Sequence, residues 1–367
     1  MRGIVYVPFS TFNPLHHLTA HQGAIVQELD RAGVQTFLVV GSAIGTNKEI
    51  PIKIINTNNT NHFSIVAYFR EIIFMISLLH KLKPDFVIAY HYGFMGSIIG
   101  IYSKIISKLT LRRRKIVLLL QVDWDGIIEI TGLKKAVFVI SFRISTALFH
   151  KVIAQTTCLM DNLRKNFPNL RNLVYIPNGS YFQNEIIPLE RDNVVLCVAS
   201  ISPRKGLHTL LSAFSKVVVQ FPSWKLKFVG GIVDHAYYIM LKSMVEKLYL
   251  EESVQFLLEV TIEQLKREYQ RASIFCLPST NEGWGTARAE AASFGLPIIT
   301  TNAGCGSDFK HAVIVPREDT ETLTIALRNL IENPSLRLKL GNESAGDVRS
   351  WGKVASDLIS AIEMGHL

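Results

Sequence analysis

The stretch NEGWGTARAEAASFGLPIITT, residues 281–301, indicates a loop, a helix and a strand in succession. Glycines on both sides of a tryptophan, Gly283 and Gly285, allow a tight turn or a close approach of the backbone to another group. Thr286 is placed to cap the helix, and a later glycine ends it before a buried strand. Glu282 therefore lies in the loop, and Glu290 lies about one turn inside the helix.

Length and composition are typical of a globular protein with two domains. The chain has 367 residues, of which 48% are hydrophobic and 19% are charged, so it can bury two sizeable cores. The first residues, MRGIVYVPFS, form too short an apolar run for a secretory leader, and we expect a strand there. The uncharged stretch at residues 86–103 is too polar for a membrane helix.

The cysteines carry information about the compartment. Cys158, Cys197, Cys276 and Cys305 lack the spacing of a zinc site or a redox motif, and we interpret them as thiols of a reducing compartment. We therefore expect a cytoplasmic protein.

Short apolar runs alternate with amphipathic segments of helical length, from residues 4–7 and 35–40 to residues 274–277. This alternation predicts an α/β protein with parallel sheets covered by helices on both faces. A polar stretch near residues 183–193 predicts two Rossmann-like domains, residues 1–182 and 183–348. Residues 349–367 are expected to form a helix that packs back on the first domain. Such sheets bind ligands beyond the carboxyl ends of their strands.

A basic pair follows the predicted strand at residues 194–199, in the segment SISPRKGL (residues 200–207). Arg204, Lys205 and a glycine stand at the start of a predicted helix, where backbone N–H groups, the helix dipole and a lysine can bind an anion together. A solvated basic turn is an equally good interpretation of this segment alone. The spacing is not that of a P-loop, which disfavours an ATPase of that class.

The loop at residues 278–286 gives a second helix start in the same domain. Two helix N-termini can hold the two phosphates of one diphosphate, and the carboxylate of Glu290 can accept hydrogen bonds from a ribose diol. The alternative is a capped surface helix with two solvated glutamates, which the glycines beside Trp284 disfavour. The segment is therefore interpreted as part of a nucleotide site.

These segments carry a resemblance to a known family. The segment PSTNEGWGTARAEAASFGLPIITTNAG (residues 278–304) resembles the signature of the family 4 retaining glycosyltransferases, with Glu282 and Glu290 at the spacing of the family's paired glutamates. The segment VASISPRKGLHTLLSAF (residues 198–214) is similar to the family's diphosphate loop, and YIPNGS (residues 175–180) is similar to its interdomain marker. The resemblance is strongest over residues 194–300.

The resemblance implies a GT-B architecture, in which two Rossmann-like domains face a cleft. It also implies retaining hexosyl transfer from a nucleotide diphosphate sugar, held by the C-terminal domain, to a glycan or lipid-linked acceptor on the N-terminal domain. Carried over residue by residue, Glu290 would bind the ribose and Glu282 the donor sugar near the reacting carbon. The diphosphate would be held by Lys205 and the backbone of Gly283, Trp284, Gly285 and Thr286, and the base by the backbone near Val260.

The chain departs from the family pattern in several places, and the family's acidic residue after the Gly-Gly turn is matched only loosely, by Asp308. Ala199-Ser200 stands where the family carries glycine and arginine, so Arg204 is the expected substitute for the absent arginine. His16 and His17 stand near the family's early glycine pair, and no histidine occurs at residues 121–123, where the family has one. We assign His16, His17 and His91 to the acceptor side. Solvation is the alternative for the first two, and a satisfied core histidine is the alternative for His91.

The segment DWDG, residues 123–126, raises a rival interpretation. Aspartates spaced by one residue can hold Mg²⁺ or Mn²⁺ on a nucleotide diphosphate. Because the anion loops lie in the C-terminal half, we expect Asp123 and Asp125 on the acceptor side, binding sugar hydroxyls or assisting proton movement. Structural hydrogen bonding and a metal site are the alternatives. Neither a metal nor another cofactor is expected.

Two other classes of function remain open. A sugar-nucleotide 2-epimerase shares this architecture, but it needs acid and base groups whose signatures are not evident. A non-catalytic nucleotide-sugar binder would be compatible with the absent arginine.

Basic residues are concentrated in the N-terminal half. Residues 1–180 hold 20 lysines and arginines against 9 acidic residues, and apolar helical stretches lie beside them. Anionic membranes attract such clusters, so we expect peripheral attachment to the cytoplasmic membrane face. Solvated turns are the alternative. No nucleic-acid motif accompanies the cluster, and nucleic acid is not expected as a partner.

Overall fold

The computed structural model describes residues 1–12, 21–43, 53–57, 65–90, 100–102, 117–122, 132–182 and 190–366. The chain divides into two compact units. Unit 1 comprises Met1–Gly179 and Ser350–Leu367, and unit 2 comprises Ser180–Arg349. The last residues of the chain therefore belong to the same unit as the first.

Unit 1 contains a sheet of seven parallel strands. They are β1 (Arg2–Phe12), β2 (Gln35–Ala43), β3 (Lys53–Asn56), β4 (Phe86–Ala89), β5 (Val117–Val122), β6 (Lys151–Ala154) and β7 (Leu173–Tyr175), in the order β3-β2-β1-β4-β5-β6-β7. The first four helices described are α1 (His21–Arg31), α2 (Ile65–Leu82), α3 (Gly132–Leu148) and α4 (Thr157–Asn166).

Unit 2 contains a second parallel sheet, of six strands. They are β8 (Val194–Val198), β9 (Lys225–Val229), β10 (Val254–Leu257), β11 (Ile274–Leu277), β12 (Ile298–Thr301) and β13 (Val313–Val315), in the order β10-β9-β8-β11-β12-β13. Its helices are α5 (Leu207–Val218), α6 (His235–Lys247), α7 (Ile262–Arg271), α8 (Thr286–Ser293), α9 (Thr320–Glu332) and α10 (Pro334–Gly346). The last helix of the chain, α11 (Trp351–His366), belongs to unit 1.

Alternation along the strands builds the two cores of unit 1. In β1, Ile4 and Tyr6 belong to one core, with Met75 of α2 and Phe142 of α3. Val5, between them, belongs to the other core, with residues of α1 and α11. Successive side chains of a strand point to opposite faces, so each face of the sheet is covered by its own helices.

Unit 2 shows the continuous apolar strands of a sheet that is buried on both faces. Every residue of β11 and β12 is buried. On α5, Leu210, Phe214 and Val217 recur at the spacing of one helix face and are fully buried. The strands β8 and β11, buried along almost their whole length, therefore hold the loops that follow them in fixed places.

The prediction of an α/β protein with parallel sheets is confirmed, and two strands were missed. The predicted strand at residues 274–277 is β11, and those at residues 4–7 and 35–40 lie inside β1 and β2. The missed strands, β3 and β13, have four and three residues, lie at the sheet edges and are partly exposed. Such strands lack the long apolar run that reveals a buried one.

Two of the four cysteines, Cys197 and Cys276, are free and buried. The reducing compartment inferred from the cysteines stays a prediction. None of the helices in the described part of the chain is both long and apolar enough to cross a membrane.

Candidate functional site

The loop after β8 carries Lys205 into the start of α5. A short 3-10 turn, Pro203–Lys205, follows the strand, and Gly206 then has a left-handed φ of 65°. A Cβ at Gly206 would lie 2.2 Å from the carbonyl oxygen of Pro278, in the loop after β11. Only glycine fits this position without a shift of the backbone, so Gly206 lets the two loops lie against each other.

Hydrogen bonds join the same two loops at Arg204. Its carbonyl oxygen accepts hydrogen bonds from the backbone N–H of Thr280 at 2.8 Å and from the Thr280 hydroxyl at 3.2 Å. The residue itself is exposed, with Nη1 3.4 Å from the carbonyl oxygen of Asn281. Arg204 therefore fixes the loops through its backbone and keeps its charge at the edge of the site.

Lys205 and Glu282 form a buried ion pair at the ends of the adjacent strands β8 and β11. Nζ of Lys205 contacts Oε1 of Glu282, and the same oxygen accepts a hydrogen bond from the Ser279 hydroxyl at 2.8 Å. The side chains of the pair are 11% and 6% exposed. The order of the strands reverses between β8 and β11, which is where open α/β sheets bind ligands. The sequence singled out both residues without predicting their contact.

Two buried donors flank this pair in the sequence. The Ser202 hydroxyl and Nε1 of Trp284 are buried and have no hydrogen-bond partner among the described residues. Buried polar groups are nearly always paired in folded proteins, so each exception calls for a partner such as a ligand. Oxygen acceptors of a bound ligand would satisfy both donors.

The helices α5 and α8 both start at a glycine in the left-handed region. Gly206 precedes α5, and Gly285, with a φ of 71°, precedes α8. Thr286 is the first residue of α8 and not its cap, so the expectation of a threonine cap is wrong. Glycine has no side-chain oxygen for the first N–H groups of a helix. At α5 the N–H of His208 donates to the hydroxyl of Tyr237 at 3.1 Å, whereas the cap of α8 makes no side-chain hydrogen bond. The dipole of the helix favours an anion there.

Glu290 is held inside the unit by one phenol. It is 7% exposed, and Oε2 accepts a hydrogen bond of 2.8 Å from the hydroxyl of Tyr269 on α7. Burial raises the pKa of Glu290 to about 7, and the hydrogen bond from Tyr269 acts in the opposite direction. This carboxyl group is therefore divided between its charged and neutral forms near neutral pH.

Arg288 connects the loop after β11 to the loop after β12. It is fully buried, and its guanidinium donates to the carbonyl oxygens of Trp284 at 2.6 Å and Ala303 at 2.9 Å. The guanidinium carbon lies 5.1 Å from the ring centre of Phe309. The sequence analysis missed Arg288, although a lone arginine among the alanines of ARAEAAS was a visible signal.

Val260 lies apart from the ion pair in the sheet order. It follows β10, the edge strand, and precedes Thr261, which caps α7 with a capping box. The strand β9 stands between β10 and β8, so the ends of β10 and β8 are about 10 Å apart at the usual strand spacing. The side chain of Val260 packs, partly buried, against the hydrophobic core of unit 2.

The acceptor-side predictions lie outside the described residues. This holds for Asp123, Asp125, His16, His17 and His91. In the described part of the chain, no group of three or more histidines, cysteines and acidic residues could hold a metal ion.

Comparison with known proteins places the site within a matched region. Residues 182–346 match the family model for glycosyl transferases group 1. An uncharacterized glycosyltransferase of Haemophilus influenzae is 30% identical over 173 residues, which cover 46% of this chain and 47% of that protein. The gpi3 subunit of the phosphatidylinositol N-acetylglucosaminyltransferase of Schizosaccharomyces pombe is 26% identical over 56% of this chain and 46% of that protein. The chain thus spans about half the length of these relatives.

A solved structure extends the likeness to the whole chain. HepE of Anabaena, in complex with UDP and glucose, has a TM-score of 0.77 and 15% identity, with 99% of this chain and 100% of that chain covered. The fold is GT-B. In this GT-B fold, the residues of the candidate site from Ser202 to Glu290 all lie in unit 2, inside the region that the family model matches.

Proposed function

We propose that this protein is a glycosyltransferase that moves a sugar from a nucleotide diphosphate sugar to an acceptor. The observation that carries the proposal is the meeting of two glycine-capped helix starts around the buried cation Lys205. Strands β8 and β11 bring these features together at the point where the strand order reverses. The match of residues 182–346 and the fold support the same activity.

The diphosphate is proposed to bind to Lys205 and to the backbone of Gly283–Thr286, with Arg204 at the edge. Negative charge grows on the leaving diphosphate as the glycosidic bond breaks. Fixed donors and a buried ammonium stabilise that charge more in the transition state than in the ground state. The free hydroxyl of Ser202 and the indole N–H of Trp284 are additional donors for such an anion.

The ion pair suggests how Glu282 becomes available to the donor sugar. In the structure, the carboxylate of Glu282 holds the ammonium of Lys205. An arriving diphosphate competes for the same ammonium, and the carboxylate is then able to accept hydrogen bonds from sugar hydroxyls. Glu290, one turn into α8, is proposed to bind the ribose diol, and the backbone near Val260 is proposed to meet the base.

Retention of the anomeric configuration is proposed from the family 4 resemblance of residues 278–297. Leaving diphosphate and acceptor would then share one face of the sugar. Proton NMR of the first product, before mutarotation, distinguishes the two anomers.

The acceptor is proposed to be a lipid-linked glycan at a membrane surface. Exposed apolar side chains lie on two helices of unit 1: Phe69 and Ile73 on α2, and Ile140 and Ile144 on α3. The surplus of basic residues in the first half of the chain adds attraction for anionic headgroups. The Schizosaccharomyces pombe relative carries a lipid, phosphatidylinositol, in its name.

A panel of UDP and GDP sugars tests the proposed activity. Slow release of free sugar without an acceptor is the expected result, and Lys205→Met should abolish it. Inversion at C2 of the sugar would show an epimerase instead, and binding without turnover would show a non-catalytic module. Lys216→Met is the matched control, because Lys216 lies on α5 in an exposed ion pair with Glu321.

A further inference from the structure

We infer that Tyr269 is a positioning residue for Glu290, whose phenol holds one carboxylate oxygen and leaves the other to the ribose diol of the donor. The inference rests on the proposed function, because it assigns the ribose to Glu290. Its test below includes a readout that needs no ligand.

The hydrogen bond between the two side chains is buried, and the hydroxyl of Tyr269 also lies 3.5 Å from the carbonyl oxygen of Ala287. The Tyr269 hydroxyl donates to Oε2 of Glu290 at 2.8 Å, and the two residues are 0% and 7% exposed. Within the described ranges, no other hydrogen bond to the Glu290 carboxylate is found. One phenol therefore sets the orientation of this carboxylate.

The ring of Tyr269 is itself held in place on several sides. It stacks on Phe294 with centroids 5.3 Å apart and an interplanar angle of 10°, and it meets the edge of Phe182 at 6.0 Å. The carbonyl oxygens of Tyr269 and Phe294 both accept hydrogen bonds from the guanidinium of Arg191. Arg191 thus ties α7 to the end of α8, and the phenol is fixed before any ligand arrives.

The environment of Glu290 makes this hydrogen bond decisive for its charge. Burial raises the pKa of Glu290 to about 7, and among the residues that the structure describes the phenol of Tyr269 lowers it. The other titratable groups nearby are the guanidinium of Arg191, on the backbone of Tyr269 and Phe294, and two thiols. Cys197 on β8 acts on Tyr269, and Cys276 on β11 is buried. Loss of the phenol oxygen should therefore raise the pKa of Glu290 further and leave less carboxylate at neutral pH.

A carboxylate and a carboxylic acid differ as partners of a diol. The carboxylate accepts from both hydroxyl groups, whereas the protonated group has one donor and fewer acceptor sites. If the pKa of Glu290 rises by about one unit from about 7, the charged fraction at pH 7 falls about fivefold. The affinity for a ribonucleotide should fall by the same factor and recover at higher pH.

The test compares the wild type with Tyr269→Phe, which keeps the stacked ring and removes only the hydroxyl. Infrared titration of the Glu290 carboxyl in the unliganded protein, with Glu290→Gln as the blank, should show an upward shift of its pKa. Calorimetry with UDP and GDP should show binding about fivefold weaker at pH 7 and nearly equal at pH 9. The 2′-deoxy analogues should lose less affinity on the substitution than UDP and GDP do.

Phe228→Leu is the control for a merely structural role, because Phe228 on β9 is buried in the same core and stacks on Phe256. It should lower stability without moving the pH profile. Coincident carboxyl titrations in the wild type and Tyr269→Phe would overturn the inference, as would an equal shift in Phe228→Leu. If neither nucleotide binds the wild type at any pH, the proposed function fails, and the carboxyl titration alone then decides the positioning role of Tyr269.

Discussion

The Lys205–Glu282 pair offers a prediction about the architecture of the site that involves no ligand. The variants are Lys205→Met, Glu282→Gln and the two combined, which form a double-mutant cycle. Each single variant leaves a buried charge without its partner, because the side chains are only 11% and 6% exposed. The double variant leaves neither charge.

The expected loss of stability in each single variant follows from the burial of the remaining charge and from the contacts that this charge keeps. Removing one partner of a buried ion pair costs about 3–5 kcal/mol of stability. After Lys205→Met, the Glu282 carboxylate keeps its hydrogen bond of 2.8 Å from the Ser279 hydroxyl. We therefore expect a loss of stability at the lower end of this range, about 3 kcal/mol. The double variant should be more stable than the sum of the single effects implies, with a coupling energy of about 1–3 kcal/mol.

Urea denaturation measures these free energies, and hydrogen exchange of the amides in β8 and β11 assigns the transition to unit 2. The exposed pair Lys216–Glu321, at 2.8 Å and with side chains 49% and 70% exposed, is the matched control. The same cycle on that pair should give a coupling of at most about 1 kcal/mol. Additive effects of Lys205→Met and Glu282→Gln, each below about 1 kcal/mol, would refute the buried pair.

Three further predictions concern the protonation of Glu290, the need for a metal ion in transfer, and binding to anionic membranes. The pKa of Glu290 is raised from its ordinary 4.5 to about 7, so the folded state binds more protons between these values and wild-type stability should fall as the pH rises through them. Glu290→Gln should flatten this decline by up to about 3 kcal/mol, measured by urea denaturation at pH 5 and pH 8. Transfer should persist in EDTA, whereas loss that Mn²⁺ restores would favour the metal interpretation of Asp123 and Asp125. Anionic vesicles should bind the protein at low salt and release it as the Debye length falls from about 10 Å to 3 Å. Serine at residues 112–114 should weaken that binding, and equal recovery with neutral vesicles would contradict it.

The sequence predicts those features that depend on local pattern. Alternating apolar runs predict both sheets, since a buried parallel strand such as β11 has no polar residue to obscure it. The rule that ligands bind beyond strand ends singled out Lys205 and Glu282, which the structure brings into contact although 77 positions separate them.

Long-range contacts explain what the sequence could not reveal. Tyr269 looks like an ordinary core residue of an amphipathic helix, and only the packing of α7 against α8 shows its hydroxyl at Glu290. Arginine side chains are usually exposed, so the sequence suggests a surface position for Arg288. In the structure, its guanidinium is instead enclosed by carbonyl groups from two loops. The edge strand β13 has three residues, which are too few for a repeating pattern of apolar residues to be recognised in the sequence.

Calorimetric titration with UDP and with GDP tests the central claim, that the loops after β8 and β11 hold a nucleoside diphosphate. The wild type and Lys216→Met should bind one equivalent of at least one of the two nucleotides with the same affinity. Lys205→Met should bind that nucleotide at least about tenfold more weakly, since a charge-assisted contact to phosphate is lost. Equal affinity of Lys205→Met and the wild type, or no binding of either nucleotide to the wild type, would contradict the account.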